Sequence, residues 1–156
     1  MVYENFISKD EQENLIQWAY EEECRLRVNN NSPNRFWRNI NKLTYNENIS
    51  IIRDRIIKKF DLLNFERELD LGDWLGMIKD KGVVNIHTDK HNKEHHRFNV
   101  ILQLPKEGGM NIYDGKELSV KERMLIYYRP DLHEHGTTRV IGDRHRLNLS
   151  FGFLNE

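Results

Sequence analysis

The sequence predicts an α+β fold, mainly β, in which two N-terminal helices cover one face of a sandwich or barrel-like pair of sheets. Three observations predict it. Helical periodicity is confined to the first 61 residues, the apolar residues beyond about residue 66 fall in short runs punctuated by Gly, and two of those runs alternate strictly between apolar and polar side chains. Each helix has an apolar face that must be covered, and only the strand-rich remainder is large enough to cover it.

Ser8 followed by Glu11 is a capping-box signature. Leu15, Ile16, Ala19, Tyr20 and Cys24 then recur at helical spacing to about Val28, with Glu21, Glu22 and Glu23 on the wet side and Cys24 on the apolar side as a small core residue. Residues 29–33 are polar and turn-rich. Ile49, Ile52, Ile56, Ile57 and Phe60 mark a second helix over 47–61. Strands are predicted at 74–78, 83–87, 97–104, 110–113, 124–128 and 147–153. In 97–104, Phe98, Val100, Leu102 and Leu104 share one face and Arg97, Asn99, Ile101 and Gln103 the other. The last run repeats the pattern, with Leu147, Leu149, Phe151 and Phe153 opposite Arg146, Asn148 and Ser150. Two strands with polar faces suggest a lined cavity. There is no internal repeat, and Trp18, Trp37 and Trp74 read as core and interface aromatics.

With 156 residues the chain is expected to form a single domain, 1–156. Its 24 Lys+Arg against 25 Asp+Glu give a formal net charge of −1, without the basic footprint of a phosphate-backbone binder, so nucleic acid is an unlikely partner. No apolar run reaches the ~20 residues that cross a bilayer. Glu4 and Asp10 stand where a signal peptide would be basic and then apolar. A lone cysteine, Cys24, makes no internal disulfide, which fits a reducing, cytoplasmic setting.

His87-Thr88-Asp89 closes a predicted strand, and in extended chain positions i and i+2 point to one side, so an imidazole and a carboxylate can share an ion. Downstream lies Asp131-Leu-His133-Glu-His135-Gly136. Two histidines and one carboxylate on one face of a metal, with the other positions open, suit non-heme Fe(II). Arg146 follows His135 after ten residues, on the polar face of the last strand, where a guanidinium can grip a carboxylate at two points. His133 with Arg144 keeps the same interval, so two registers compete. The unbroken apolar alternation from Arg146 favours His135 with Arg146. His91, His95 and His96 lack regular ligand spacing and are expected to be solvated or substrate-facing in a loop.

His87-x-Asp89, His135 and Arg146 in this order resemble the signature of the Fe(II)/2-oxoglutarate-dependent dioxygenases. Arg97-Phe-Asn-Val-Ile-Leu-Gln-Leu104, Gly108-Gly109, Met124-Leu-Ile-Tyr-Tyr128 and Arg146-Leu-Asn-Leu-Ser-Phe-Gly-Phe153 fall in the order that family uses, as does the opening Tyr3-Glu-Asn-Phe-Ile-Ser8 before a helix. The resemblance implies a double-stranded β-helix of jelly-roll type, with His87, Asp89 and His135 as iron ligands. It implies Arg146 for the distal carboxylate of 2-oxoglutarate. Asn148 stands where many members have Ser or Thr, and Asn99 and Gln103 are the implied lining of the co-substrate pocket. The implied cofactors are Fe(II), 2-oxoglutarate and O₂, and the implied reaction is hydroxylation of a substrate C–H bond with release of succinate and CO₂.

Within that reading, a protein side chain, an amino acid or another small metabolite is the expected substrate, recognised by residues 29–44 and the loop after Asp89. The nucleic-acid demethylases of the family share the Arg-x-Asn-Leu-Ser-Phe ending, but Leu75-Gly-Met77 stands where they carry Asn-x-Tyr. A cupin-type metal-binding jelly roll would want a Glu near Arg139 and Val140. A zinc hydrolase would leave Arg146 without a role. The oligomeric state is left open.

Overall fold

In the computed structural model, which describes residues 1–69 and 72–156, the elements run β1 (Val2–Tyr3), α1 (Lys9–Glu21), β2 (Arg27–Asn29), β3 (Ser32–Asn39), α2 (Glu47–Lys59), β4 (Glu66–Arg67), β5 (Trp74–Ile78), β6 (Glu94–Gln103), β7 (Asn111–Tyr113), β8 (Lys116–Glu117), β9 (Leu125–Tyr128), β10 (His135–Thr137) and β11 (Arg146–Asn155). Ser8 caps α1 reciprocally: the Glu11 N–H donates to Ser8 Oγ at 3.1 Å and the Ser8 N–H to Glu11 Oε1 at 2.8 Å. The larger sheet has the order β1-β9-β6-β11-β5-β3-β2, with β4 pairing the far half of β11, and the smaller has the order β10-β7-β8. All pairings are antiparallel. No helix among the described residues is long and apolar enough to cross a membrane.

Period-2 alternation gives the larger sheet its two faces. Met77, Phe98, Val100, Leu147, Leu149, Phe151 and Phe153 point to the helices, where Leu15, Trp18, Ala19, Ile49, Ile52 and Ile56 complete the main core. Burying each large side chain there contributes about 1.5–3 kcal/mol. The opposite face turns to the smaller sheet. Part of the gap is filled by a second cluster of Ile101, Val120, Met124 and Ile126; the rest is a cavity.

Several expectations need correction. The first helix ends at Glu21, and a 3-10 turn, Glu23–Arg25, leaves Cys24 exposed rather than in the core. Glu22 is buried, accepting from the Thr44 N–H at 2.6 Å and pairing with Arg25 at 3.2 Å, so it is not on the wet side. The turn near residue 30 is present, with the Asn31 N–H on Asn29 Oδ1 at 2.9 Å, but β2 and β3 flank it. Residues 83–87 are extended without forming a regular strand. The Val84 N–H goes to Thr137 Oγ1, which spoils the ladder and leaves His87 and His135 as an isolated bridge. Strand β6 begins at Glu94, so His95 and His96 are buried strand residues rather than loop residues.

Candidate active site

The cavity between the sheets has a volume of about 410 Å³. Its floor is built in rows across the larger sheet, because cross-strand partners share a face. One row is Arg35, Ile78 and Arg146; the next is Trp37, Gly76 and Asn148. Ser150 pairs with Asn99, and Gly152 with Arg97, in further rows. Gly76 is required by close approach: a Cβ there would sit 2.7 Å from Trp74 and 2.9 Å from Asn148 Oδ1.

His87 and Asp89 lie on the extended segment that passes the smaller sheet, and His135 opens β10. The backbone bridge between His87 and His135 is reciprocal, at 3.1 and 2.9 Å, and the Asp89 N–H donates to the Pro130 carbonyl at 2.8 Å. These bonds bring one donor atom from each side chain within 4.8 Å of the others. His87 Nε2 is 3.0 Å from Asp89 Oδ1, and His135 Nε2 is 3.7 Å from Asp89 Oδ2. Ligand atoms ~2.1 Å from a shared ion stand about 3 Å apart, so the group fits a metal without rearrangement of the backbone. The other ring nitrogens, Nδ1, lie 2.6 Å from the Asn85 carbonyl and 3.0 Å from the His133 carbonyl. A carbonyl only accepts, so Nδ1 carries a proton in both rings; Nε2 is the atom left for a metal, and without one a second proton on His87 Nε2 bonds Asp89 Oδ1.

The electrostatics follow from this placement. Burial pushes the Asp89 carboxyl up, but the hydrogen bond from His87 and the charges of His135 and His87 outweigh it and hold it below the ordinary value. The His87 pKa is raised by its bond to Asp89, while burial lowers that of His135. His133 is turned outward, its Nδ1 on Asp114 Oδ2 at 2.7 Å.

Arg146 is 3% exposed and lies on the cavity floor. Its Nε donates to the Gly109 carbonyl at 2.8 Å, Nη1 to Asn148 Oδ1 at 3.0 Å and Nη2 to Asn111 Oδ1 at 2.7 Å. These bonds use three of the five guanidinium hydrogens. Among the described residues no carboxylate pairs with it, and burial pushes its pKa down to about 10. A buried guanidinium with only neutral partners and two free donors could hold an anion. Arg144 instead binds Glu122 and the Leu104 carbonyl, away from the cavity.

Of the residues expected to line the co-substrate pocket, Asn148 and Asn99 lie in the cavity. Asn148 Oδ1 is held by Arg146, which leaves its NH₂ as a donor, and Asn99 Oδ1 is buried without a hydrogen-bond partner. Gln103 does not line the cavity. The pairing steps from Leu147–Gln103 to Asn148–Ile101, and this β-bulge at Leu102 reverses the parity of the strand. Gln103 therefore turns to the helix side and donates to Tyr20 Oη and the His145 carbonyl, both at 2.8 Å. The bulge carbonyl of Leu102 is taken by Gln12 of α1 at 2.9 Å. Sequence reasoning missed Asn111, Tyr113 and Tyr128 of the wall, whereas Arg35 and Trp37 of the floor lie within 29–44, the segment expected to recognise substrate, without being singled out there. The i, i+2 spacing of Arg35 and Trp37 was their one sequence signal. Trp37 and Trp74 line the cavity, whereas Trp18 is a core residue as expected.

No protein-family model and no curated protein matches the sequence. Solved structures do resemble it. HygX from Streptomyces hygroscopicus, with nickel, 2-oxoglutarate and hygromycin B bound, has a TM-score of 0.75 at 14% identity, covering 99% of this chain and 82% of that one. A Pseudomonas putida prolyl-4-hydroxylase has a TM-score of 0.69 at 14% identity, covering 100% and 91%. A prolyl hydroxylase in complex with a hypoxia inducible factor oxygen degradation domain peptide fragment from Trichoplax adhaerens has a TM-score of 0.76 at 11% identity, covering 99% and 82%. Across nearly its full length, then, the chain has the double-stranded β-helix fold of these proteins.

Proposed function

We propose that this chain is an Fe(II)- and 2-oxoglutarate-dependent hydroxylase acting on a small molecule or a peptide. The observation that carries the reading is the sharing of one cavity by the His87, Asp89, His135 donor set and the unpaired, buried Arg146. A zinc hydrolase or a cupin-type binder on the same three ligands leaves that guanidinium with nothing to bind. HygX, of the same fold, holds nickel and 2-oxoglutarate, which supports the assignment.

When bound, Fe(II), 2-oxoglutarate and O₂ supply the oxidising power, with succinate and CO₂ released as a substrate C–H becomes C–OH. The chain's residues bind and orient. His87 and His135 present Nε2 as locked tautomers, and Asp89 supplies a carboxylate that stays ionised at neutral pH. Arg146 and the Asn148 NH₂ would hold the distal carboxylate of the co-substrate. Tyr113 and Tyr128 in the wall stay neutral, because burial raises both pKa values. No side chain is required as a general base. The net charge of −1 supports a non-nucleic-acid substrate, and the free, exposed Cys24 suits a reducing, cytoplasmic setting.

The test is anaerobic addition of Fe(II) and 2-oxoglutarate to the metal-free protein. A weak visible charge-transfer band is expected in the wild type and none in His87→Ala or Asp89→Ala. A full band in both variants overturns the ligand assignment.

A further inference from the structure

Arg35 lies on the cavity floor in the same row as Arg146, with Ile78 between them. At ~4.8 Å per strand step the two backbones stand about 10 Å apart. The cavity has a third arginine, but it is neutralised: Arg97 binds Glu68 at 2.7 Å, both side chains 2% exposed. Arg35 has no hydrogen-bond or ion-pair partner among the described residues. Burial lowers its pKa, and the charge that opposes this at neutral pH, that of Asp89, acts at a distance. Holding an unpaired guanidinium partly out of water costs free energy, which a bound anion would recover.

The co-substrate does not supply that anion. In the hydroxylase reading Arg146 would meet one of its carboxylates, and the ion that His87, Asp89 and His135 would hold would take the other. Arg35 is the positive charge left over. Trp37 follows it at i+2 on the same face, and Trp74 and Ile78 also line the cavity, so apolar surface adjoins the cation.

We propose that Arg35 is the substrate-binding residue for a carboxylate, and that the substrate is a small carboxylic acid whose apolar body lies against Trp37 and Trp74. This rests on the hydroxylase reading above. The guanidinium takes the carboxylate in two-point fashion and fixes which C–H faces the metal side of the cavity.

The experiment is calorimetric titration of the protein loaded anaerobically with Ni(II) and 2-oxoglutarate, using phenylacetate, 4-methylpentanoate and cyclohexanecarboxylate, each against its primary amide. At least one acid is expected to bind about 10- to 100-fold more tightly than its amide. Arg35→Gln should abolish that preference, Arg35→Lys should restore part of it, and the 2-oxoglutarate affinity should change less than twofold in both. The proposal is overturned if no acid binds better than its amide, if Arg35→Gln keeps the preference, or if Arg35→Gln weakens 2-oxoglutarate as strongly as Arg146→Met does. Failure of the wild type to take up metal and 2-oxoglutarate overturns the hydroxylase reading and this proposal with it. Uptake of both without acid preference overturns this proposal alone.

Discussion

His87 and His135 share one restraint: each Nδ1 lies on the carbonyl two residues earlier, at 2.6 and 3.0 Å, so each presents Nε2 to a different oxygen of Asp89. One residue comes from the extended segment and the other from β10, and the backbone bridge between them fixes their separation before any ligand arrives. The site is thus organised by main-chain bonds.

Metal binding should therefore stabilise the fold. Ni(II) at 100 times its Kd should add about 2.7 kcal/mol to the wild type, read as a rise in thermal midpoint. His135→Ala should lose the increment and His133→Ala, turned out to Asp114, should keep it. A retained increment in His135→Ala places the ion elsewhere.

Arg146→Met should weaken 2-oxoglutarate about 100-fold or more, since charge-assisted two-point bonds are lost, with metal affinity changed by less than threefold. Arg144→Met, which removes a partner of Glu122, should change co-substrate binding less than twofold. Calorimetry with Ni(II) separates the two. Equal losses would argue against Arg146 as the anion site.

These assignments divide cleanly between what the linear chain announces and what only packing decides. His87 and Asp89 are readable from their i, i+2 spacing, although they lie outside any regular strand, and the stepwise apolar pattern of 146–153 chooses Arg146, and with it His135, over Arg144. Gln103 is unreadable because a bulge at Leu102, held by Gln12 from α1, reverses parity without any Gly or Pro to mark it. Strands β2 and β3 are hidden for a related reason. Their cavity face carries Arg35 and their turn carries Asn29, Asn30 and Asn31, so polar residues mask the alternation. The helices are legible in existence, but Glu22 could not be placed, since its burial depends on Thr44.

The buried pair of Arg97 and Glu68 gives a stability prediction. Glu68→Gln leaves a charged guanidinium in a dry site and should cost about 3–5 kcal/mol, measured as a lower urea midpoint at unchanged slope. Gly152 makes room for this pair, because a Cβ there would lie 2.7 Å from the Arg97 guanidinium carbon. A cost below 1 kcal/mol would mean that water reaches the pair.

His95 should make stability pH-dependent. Burial, reinforced by the nearby Arg97 charge, lowers its pKa to about 4, and its Nε2 accepts from Arg97 Nε at 3.2 Å. The unfolded chain titrates near 6.5, so it binds the proton first as pH falls and stability declines from about pH 6.5 to about pH 4. The shift corresponds to roughly 3 kcal/mol. His95→Gln should flatten the pH–stability curve in that window; parallel curves for the two proteins would remove His95 as the source.

Strand β11 pairs with β4, β5 and β6 and also carries Arg146 and Asn148. Since β5 and β6 precede it by dozens of residues, both leave the ribosome with the edges that will flank β11 still bare, a template for mispairing with other chains. Delivery of Arg146, the arginine proposed to bind the co-substrate, is the same event that closes this sheet, so a molecule with that arginine in place is one that has already escaped that hazard.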